Sequence, residues 1–477
     1  MEQALMKLNS SRRIAPALLL SIWLTATLSG VRAQETYTPA PQQSPTAVQI
    51  NPLPQTATPA PLPTSTLEAN DDTEIATTQG TLIETLDGRK VLEATADRAF
   101  NPASAVKLAT ALTALRTFGP QYRFTTALWT NGTFDQASGT IKGDLFISGR
   151  DPSFHYEHAV MLARELNRQG IRTVTGDLIV APRFTMNFDA SSQRSGETLY
   201  DTLDATRRSA AAMRAWQDSA ALVSERAATD TGIAASSMPF TATGVPSVAV
   251  LGAVYIDSVP PGARMLLVHR SSKLVDVLKV LLCYSNNFMA ERIGDTLGGA
   301  QGVRRAVISG AQVSPWEVSL ASTSGLGVNR VTPRAMMKVL RALRDELAKN
   351  NLELSDILPV AGIDPGTLRK RYTTYPSRGS VIAKTGTLTR TDGGVSALVG
   401  EMRTATNETL LFVIFNQRGN VWRFRANQDR LVTQIQNSHG GPAPFAYRPL
   451  ALAMRLSDTE TGAVNSARKD EYEPTSN

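Results

Sequence analysis

The sequence predicts an α+β fold, and three observations carry that expectation. Asp87-Gly88 lies between TLIETL and VLEATA, the pattern of a strand hairpin. Thr406-Asn407 lies between VSALVGEM and TLLFVIFNQ, a second hairpin toward the other end. Segments of helical period run between them, so strands at both ends enclose a helical middle. With 477 residues, 42% of them hydrophobic, the chain can bury a sizeable core in two or three units.

In chain order, residues 1–13 are basic and residues 14–28, IAPALLLSIWLTATL, form an apolar run short for a membrane span. Val31-Arg32-Ala33 follows, so residues 1–33 read as a secretory signal cleaved after Ala33, with an uncleaved anchor as the alternative. No cysteine lies near that junction, which excludes a lipoprotein. Residues 34–78 lack Lys and Arg and carry eight of the 26 prolines, so a disordered linker is expected there. After the first hairpin, NPASAVKLATALTALRTFG reads as a helix. Asn101 or Ser104 is its cap, Pro102 falls in its first turn, and Leu108, Leu112 and Leu115 form an apolar stripe. Asn131-Gly132 reads as a hairpin turn, GTIKGDLFISG as a strand and Ala159–Arg168 as a helix. Residues 185–245 show no clear pattern. KLVDVLKVLLCYSNNFMAERIGDT is a helix interrupted at Ser285, and residues 333–348 are another. RFRANQDRLVTQIQN closes the fold as a helix, and the polar tail from Ser457 is expected to be disordered.

The composition excludes a mainly disordered, collagenous or disulfide-scaffold chain. A single cysteine, Cys283, allows no intrachain disulfide and no cysteine zinc cluster, and its apolar helix makes it a core residue. His155, His158, His269 and His439 lack metal-ligand spacing, so no metal or cofactor is expected. The net charge of +7 falls to +4 without residues 1–33, which suits an anionic substrate and gives no reason to expect nucleic acid.

Three short motifs bear chemistry. Ser104-Ala105-Val106-Lys107 places a hydroxyl and an amine one turn apart on a helix face, where the amine can take the serine proton. Alone the pattern is weak, because Ser466-Ala467-Arg468-Lys469 repeats it in the polar tail. Ser285-Asn286-Asn287 interrupts an apolar helix and is either a solvated loop or a site. Lys384-Thr385-Gly386-Thr387 follows an apolar strand start. Its glycine would admit a substrate backbone, and its lysine offers a point cation to a carboxylate.

Together and in this order, the motifs resemble the serine, SxN and KTG motifs of penicillin-binding proteins and serine β-lactamases. NPAS-x-x-K-L, GDLFISGRDPSF, YSNNFMAE, TSGLGVNRVTPR, VAGIDPGTLRKRY and AKTGTLTRTDGGVSALVG are similar to signatures of the low-molecular-mass class C penicillin-binding proteins. These are the D-alanyl-D-alanine carboxypeptidase/endopeptidases of the DacB type, and the likeness covers roughly Thr81 to Asn437. The resemblance implies a transpeptidase-like fold, an antiparallel sheet packed with a helical subdomain, carrying a smaller inserted domain. It implies a catalytic domain over 79–125 and 250–445, an insert over 126–249 and a C-terminal tail over 446–477. Ser104 would be the acylated nucleophile, Lys107 its base, and Ser285 a proton relay. Asn287 would hold the substrate amide, and Lys384, Thr385 and Thr387 its terminal carboxylate. The N–H groups of Ser104 and Thr387 would form the oxyanion hole. Lys384 would also help keep Lys107 neutral. Peptidoglycan stem peptides would be the substrate and β-lactams covalent inhibitors, in a periplasmic or extracytoplasmic setting. Membrane contact would come only through an uncleaved signal segment. A serine β-lactamase and a non-catalytic wall-binding relative are the alternatives. The sequence departs from the family at Gly327-Val328, where Ser-Arg is common, and at Gly149-Arg150-Asp151, read as a structural turn with Arg150 or Asp151 lining the substrate cleft as the alternative. His269 is read as structural.

Overall fold

The computed structural model describes residues 78–229 and 245–463. The expected signal segment, the linker up to residue 77 and the second Ser-x-x-Lys copy lie outside the described residues. Strands β1 (Gln79–Thr85) and β2 (Lys90–Ala94) form the first hairpin, with Gly88 at φ 94° in its turn. A 3-10 turn, Ala103–Ala105, leads into α1 (Val106–Phe118). Then come β3 (Arg123–Thr130), β4 (Thr133–Asp135), β5 (Thr140–Lys142), β6 (Leu145–Gly149), α2 (Tyr156–Arg168), β7 (Thr173–Val174) and β8 (Leu178–Val180). They are followed by α3 (Ser192–Leu203), α4 (Ala210–Thr229), β9 (Ala249–Val250), β10 (Val254–Ile256) and β11 (Arg264–Lys273). The chain continues through α5 (Leu274–Tyr284), α6 (Asn287–Thr296), α7 (Gly299–Gly310), β12 (Val318–Ser319), β13 (Arg330–Val331), α8 (Pro333–Ala348) and α9 (Leu354–Ile357). It ends with β14 (Val381–Leu388), β15 (Val395–Arg403), β16 (Thr409–Gln417), α10 (Val421–Ser438), α11 (Leu452–Leu456) and β17 (Glu460–Ala463).

The main sheet is antiparallel, in the order β14-β15-β16-β1-β2, so the two expected hairpins lie side by side through the β1–β16 pair. Strand alternation splits its residues between two cores. Ala397, Val399, Leu411, Val413 and Phe415 face the larger core with α1, α5 and α8. Leu398, Phe412 and Ile414 face the other way, toward Val432 on α10. Helix α1 is buried from Val106 through Leu115, so the leucine stripe is one face of a helix enclosed on all sides. That enclosure matters for Lys107, which goes into the core with it.

A second core is built on a mixed sheet, β10-β8-β6-β3-β11-β17, beside a smaller sheet, β4-β5-β7-β9. Asn131-Gly132 does not close a hairpin. It carries the chain from β3 in one sheet to β4 in the other, and Gly143 splits GTIKGDLFISG into β5 and β6 in the same way. The two crossings touch: a Cβ on Gly143 would stand 2.5 Å from the Gly132 Cα, so neither position has room for a side chain. The second core draws Leu266 and Leu267 from β11, inside the stretch expected to be catalytic, because β11 pairs along β3. The tail is not disordered from Ser457. Residues 460–463 form β17 on β11, Arg123 bonds Asp458, and His269 Nδ1 lies 2.8 Å from Thr461 Oγ1. The His269 bond is structural, as the sequence suggested. Asp151 also serves its own turn, accepting from Ser153 N at 2.8 Å.

A buried ion pair ties α5 to the loop before β14. Lys279 Nζ donates to Asp364 Oδ2 at 2.7 Å and to the Ser355 and Leu358 carbonyls, while Tyr447 donates to Asp364 Oδ1. The same loop holds the end of α5, since Thr367 N donates to Cys283 O at 2.9 Å. Removing one partner strands a dry charge, so Lys279→Met should cost about 3–5 kcal/mol in urea unfolding. A loss under about 1 kcal/mol would show that Asp364 is not committed to this pair.

Candidate active site

The turn bearing Ser104 is fixed from outside the helix. Asn101 is fully buried, and its Oδ1 accepts from Ala103 N at 3.0 Å. Its Nδ2 donates to Gly327 O at 3.0 Å and to Asp392 Oδ2 at 2.7 Å, and Asp392 is itself held by Arg330. The sequence had suggested Asn101 or Ser104 as the cap of α1, but neither caps it through its side chain: Asn101 precedes the 3-10 turn, Ser104 lies within it, and Ala105 is the residue at the start of the helix. Ala103 adopts the left-handed region at φ 46°, a conformation that costs a non-glycine residue roughly 1–2 kcal/mol. The Asn101 bonds hold it there.

Lys107 joins three segments of the chain. Its Nζ lies 3.1 Å from Ser104 Oγ, 2.7 Å from Asn287 Oδ1 and 2.6 Å from Ser324 O. The side chain is fully buried, and that burial lowers its pKa to about 7, against the pull of Glu291, which raises it. Burial raises the Glu291 carboxyl as well, but hydrogen bonds from Ser324 and Thr323 outweigh it and hold Glu291 below the ordinary value. Glu291 thus shapes the 323–324 segment and stays charged beside the amine.

The break at Ser285 has a local cause. Ser285 takes left-handed angles, φ 56° and ψ 39°, which end α5. Asn286 then caps α6, its Oδ1 accepting from Met289 N at 3.0 Å, so Asn287 opens α6 facing Lys107. Lys384 reaches the same point from β14, donating to Ser285 Oγ at 2.8 Å and Thr385 O at 2.6 Å. Full burial drives its pKa well down, and Lys107 adds to that shift.

Strand β14 is an edge strand. Among the described residues its outer side is paired only at its start, where Ala383 N donates to Pro359 O and Val381 O accepts from Ala361 N. By strand alternation, the Thr385 and Thr387 N–H groups turn to that same outer side. Gly386 serves contact between protein segments: a Cβ there would meet Pro102 O at 2.6 Å, so the glycine seats β14 against the Ser104 turn. Thr387 Oγ1 accepts from Arg425 on α10 at 2.8 Å. The structure therefore gathers Ser104, Lys107, Ser285, Asn287, Lys384, Thr385 and Thr387 in one place. Asn101, Glu291, Ser324, Asp392 and Arg425 are the additions that sequence reasoning missed. Among the described residues no cluster of His, Cys, Asp or Glu could hold a metal ion.

Fold and motifs define the class of penicillin-binding proteins and serine β-lactamases. Within it, the chain belongs to the D-Ala-D-Ala carboxypeptidase 3 (S13) family, whose sequence model matches residues 67–207 and 217–436. A carboxypeptidase of Mycobacterium tuberculosis is 27% identical over 423 residues, covering 82% of this chain and 87% of the relative. A predatory endopeptidase of Bdellovibrio bacteriovorus, solved acylated by penicillin G with its immunity protein, has the same fold. Its TM-score is 0.65 at 22% identity, covering 81% of this chain and 99% of that one. Penicillin-binding protein 4 of Haemophilus influenzae has a TM-score of 0.56 at 21% identity, covering 78% of this chain and 99% of that one.

A base must be neutral to accept a proton, so acylation of Ser104 by benzylpenicillin should rise with pH through about 7, the Lys107 value. Glu291→Gln removes a charge that favours the ammonium, so the acid limb should move to lower pH. Stopped-flow acylation across pH 5–9, roughly two pH units to either side of the Lys107 pKa, checks both. A limb that stays in place or moves up in Glu291→Gln would separate Glu291 from Lys107.

Proposed function

We propose that this chain is a serine D-alanyl-D-alanine carboxypeptidase/endopeptidase acting on peptidoglycan stem peptides through an acyl-enzyme on Ser104. The observation that carries the reading is the buried amine of Lys107, 3.1 Å from Ser104 Oγ, with its pKa lowered to about 7. Neutral Lys107 takes the Ser104 proton as Oγ attacks the carbonyl of the penultimate D-alanine. The Ser104 and Thr387 N–H groups receive the developing oxyanion. Asn287 holds the substrate amide. Lys384 holds the Ser285 hydroxyl, which relays the proton taken up by Lys107 to the departing amine, so D-alanine leaves, Lys107 is neutral again and the ester remains on Ser104. Water then attacks the ester, neutral Lys107 takes its proton and passes it to Ser104 Oγ as the ester bond breaks, and the free acid leaves with Ser104 and Lys107 restored. The Thr385 and Thr387 hydroxyls receive the carboxylate of the leaving residue. A β-lactam enters the same acylation step and stays as the ester.

In this reading residues 79–125 and 250–445 carry the chemistry, 126–249 are an insert, and 446–477 form the C-terminal tail. Export follows a signal cleaved after Ala33, and the enzyme works outside the cytoplasmic membrane. Among the described residues no helix is long and apolar enough to cross a membrane.

Intact-mass measurement after benzylpenicillin should show one adduct, carried by the peptide containing Ser104. Ser104→Ala should abolish it, and defined muropeptides should lose D-alanine only with the unaltered protein. An adduct that survives Ser104→Ala would defeat the assignment.

A further inference from the structure

Arg425 has no part in the reaction derived above. It lies half-buried on α10, in the turn after Trp422, and its Nη2 donates to Thr387 Oγ1 at 2.8 Å. Its guanidinium carbon stands 5.2 Å from the centroid of the Trp422 ring, which is 75% exposed. The acid that favours its charge, Asp429 one turn along α10, is turned elsewhere: its Oδ1 accepts from Arg371 Nε at 2.8 Å and Nη2 at 2.6 Å. Among the described residues no carboxylate forms an ion pair with Arg425. Burial and the Arg371 charge both bear on it unfavourably, yet a guanidinium does not deprotonate in a protein. The result is a fixed cation with spare N–H donors, aimed at the hydroxyl of a residue whose own N–H faces the open edge of β14.

Lys384 is poorly placed for the duty that the sequence assigned to it. Its ammonium is fully buried and already committed to Ser285 Oγ and Thr385 O. Burial also works against its charge. A planar, permanently charged fork matches a carboxylate better than a buried amine does.

We propose that Arg425, with the Thr387 hydroxyl, binds the free carboxylate of the substrate's leaving residue and is a specificity-determining residue of the enzyme. The inference rests on the carboxypeptidase reading above and extends it from the acyl side of the scissile bond to the leaving side. Trp422 backs the guanidinium through its ring face, as cation–π packing does. Asp429, held by Arg371, stays out of the way.

The test crosses two protein variants with two acylating agents, benzylpenicillin and its methyl ester, which differ in the charge that Arg425 would read. Arg425→Gln should slow acylation by the free acid about tenfold and by the ester less than about twofold, as loss of one charge-assisted contact implies. Arg425→Lys keeps the charge and loses the fork, so it should recover part of the free-acid rate. With D-Ala-D-Ala peptides the loss should fall mainly on KM. An unchanged free-acid rate in Arg425→Gln overturns the proposal. So does equal slowing of acid and ester, which would make Arg425 a support for β14 and no more. Wild-type protein that fails to acylate at Ser104 with either agent would overturn the carboxypeptidase reading as well, which separates the two failures.

Discussion

The site depends on one buried amine. Lys107 Nζ touches Ser104 in the turn before its own helix, Asn287 from α6 and the Ser324 carbonyl from the loop before β13. A polar group this deep is costly unless it is bonded, so three segments distant in sequence must all arrive correctly for the core to close. The same burial makes the amine useful, because dryness is what brings its pKa down toward neutrality. Folding and reactivity are thus set by a single environment. The second lysine repeats the arrangement on the opposite wall, with Ser285 and the Thr385 carbonyl as its partners.

Much of the fold was legible because local signals agree with tertiary needs. Asp87-Gly88 and Thr406-Asn407 mark real hairpins, and Thr332-Pro333 starts α8 with Thr332 accepting from Ala335 N. Ser285 was legible as an interruption, because a polar run inside an apolar helix is conspicuous. The failures have one physical character. Asn131-Gly132 has the composition of a hairpin turn, yet it joins two sheets, and only partners distant in sequence decide that. The polar tail holds too little apolar surface to predict order. Its described part, up to residue 463, is held by pairing on β11 and by Arg123. Helices α3 and α4 arise in a stretch of small and polar residues where periodicity is faint.

The same limit applies to the site. Motif spacing reveals residues that act in sequence-local groups, Ser104 with Lys107 and Lys384 with Thr387. It is silent about Glu291, whose effect on Lys107 passes through the fold, and about Asn101, whose three bonds hold a strained turn. Glu291 lies one helical turn beyond Asn287, a spacing that shows a shared face but not what the face meets. The reading of Gly386 erred for a related reason. Its missing side chain makes room for Pro102 of the same protein.

The half-covered edge of β14 works as a ruler. Residues 359–361 occupy the outer side of its first residues, and from Lys384 to Leu388 no strand among the described residues pairs there. Five residues at about 3.4 Å each leave roughly 17 Å of unpaired backbone. An extended peptide laid along it can be read by main-chain bonds over that length only. Beyond it, discrimination passes from backbone geometry to side chains, and a longer polymer gains no further grip from being longer. The covering segment therefore limits the stretch of β14 on which main-chain pairing is open. It also covers part of an edge that would otherwise stand open to pairing along its whole length.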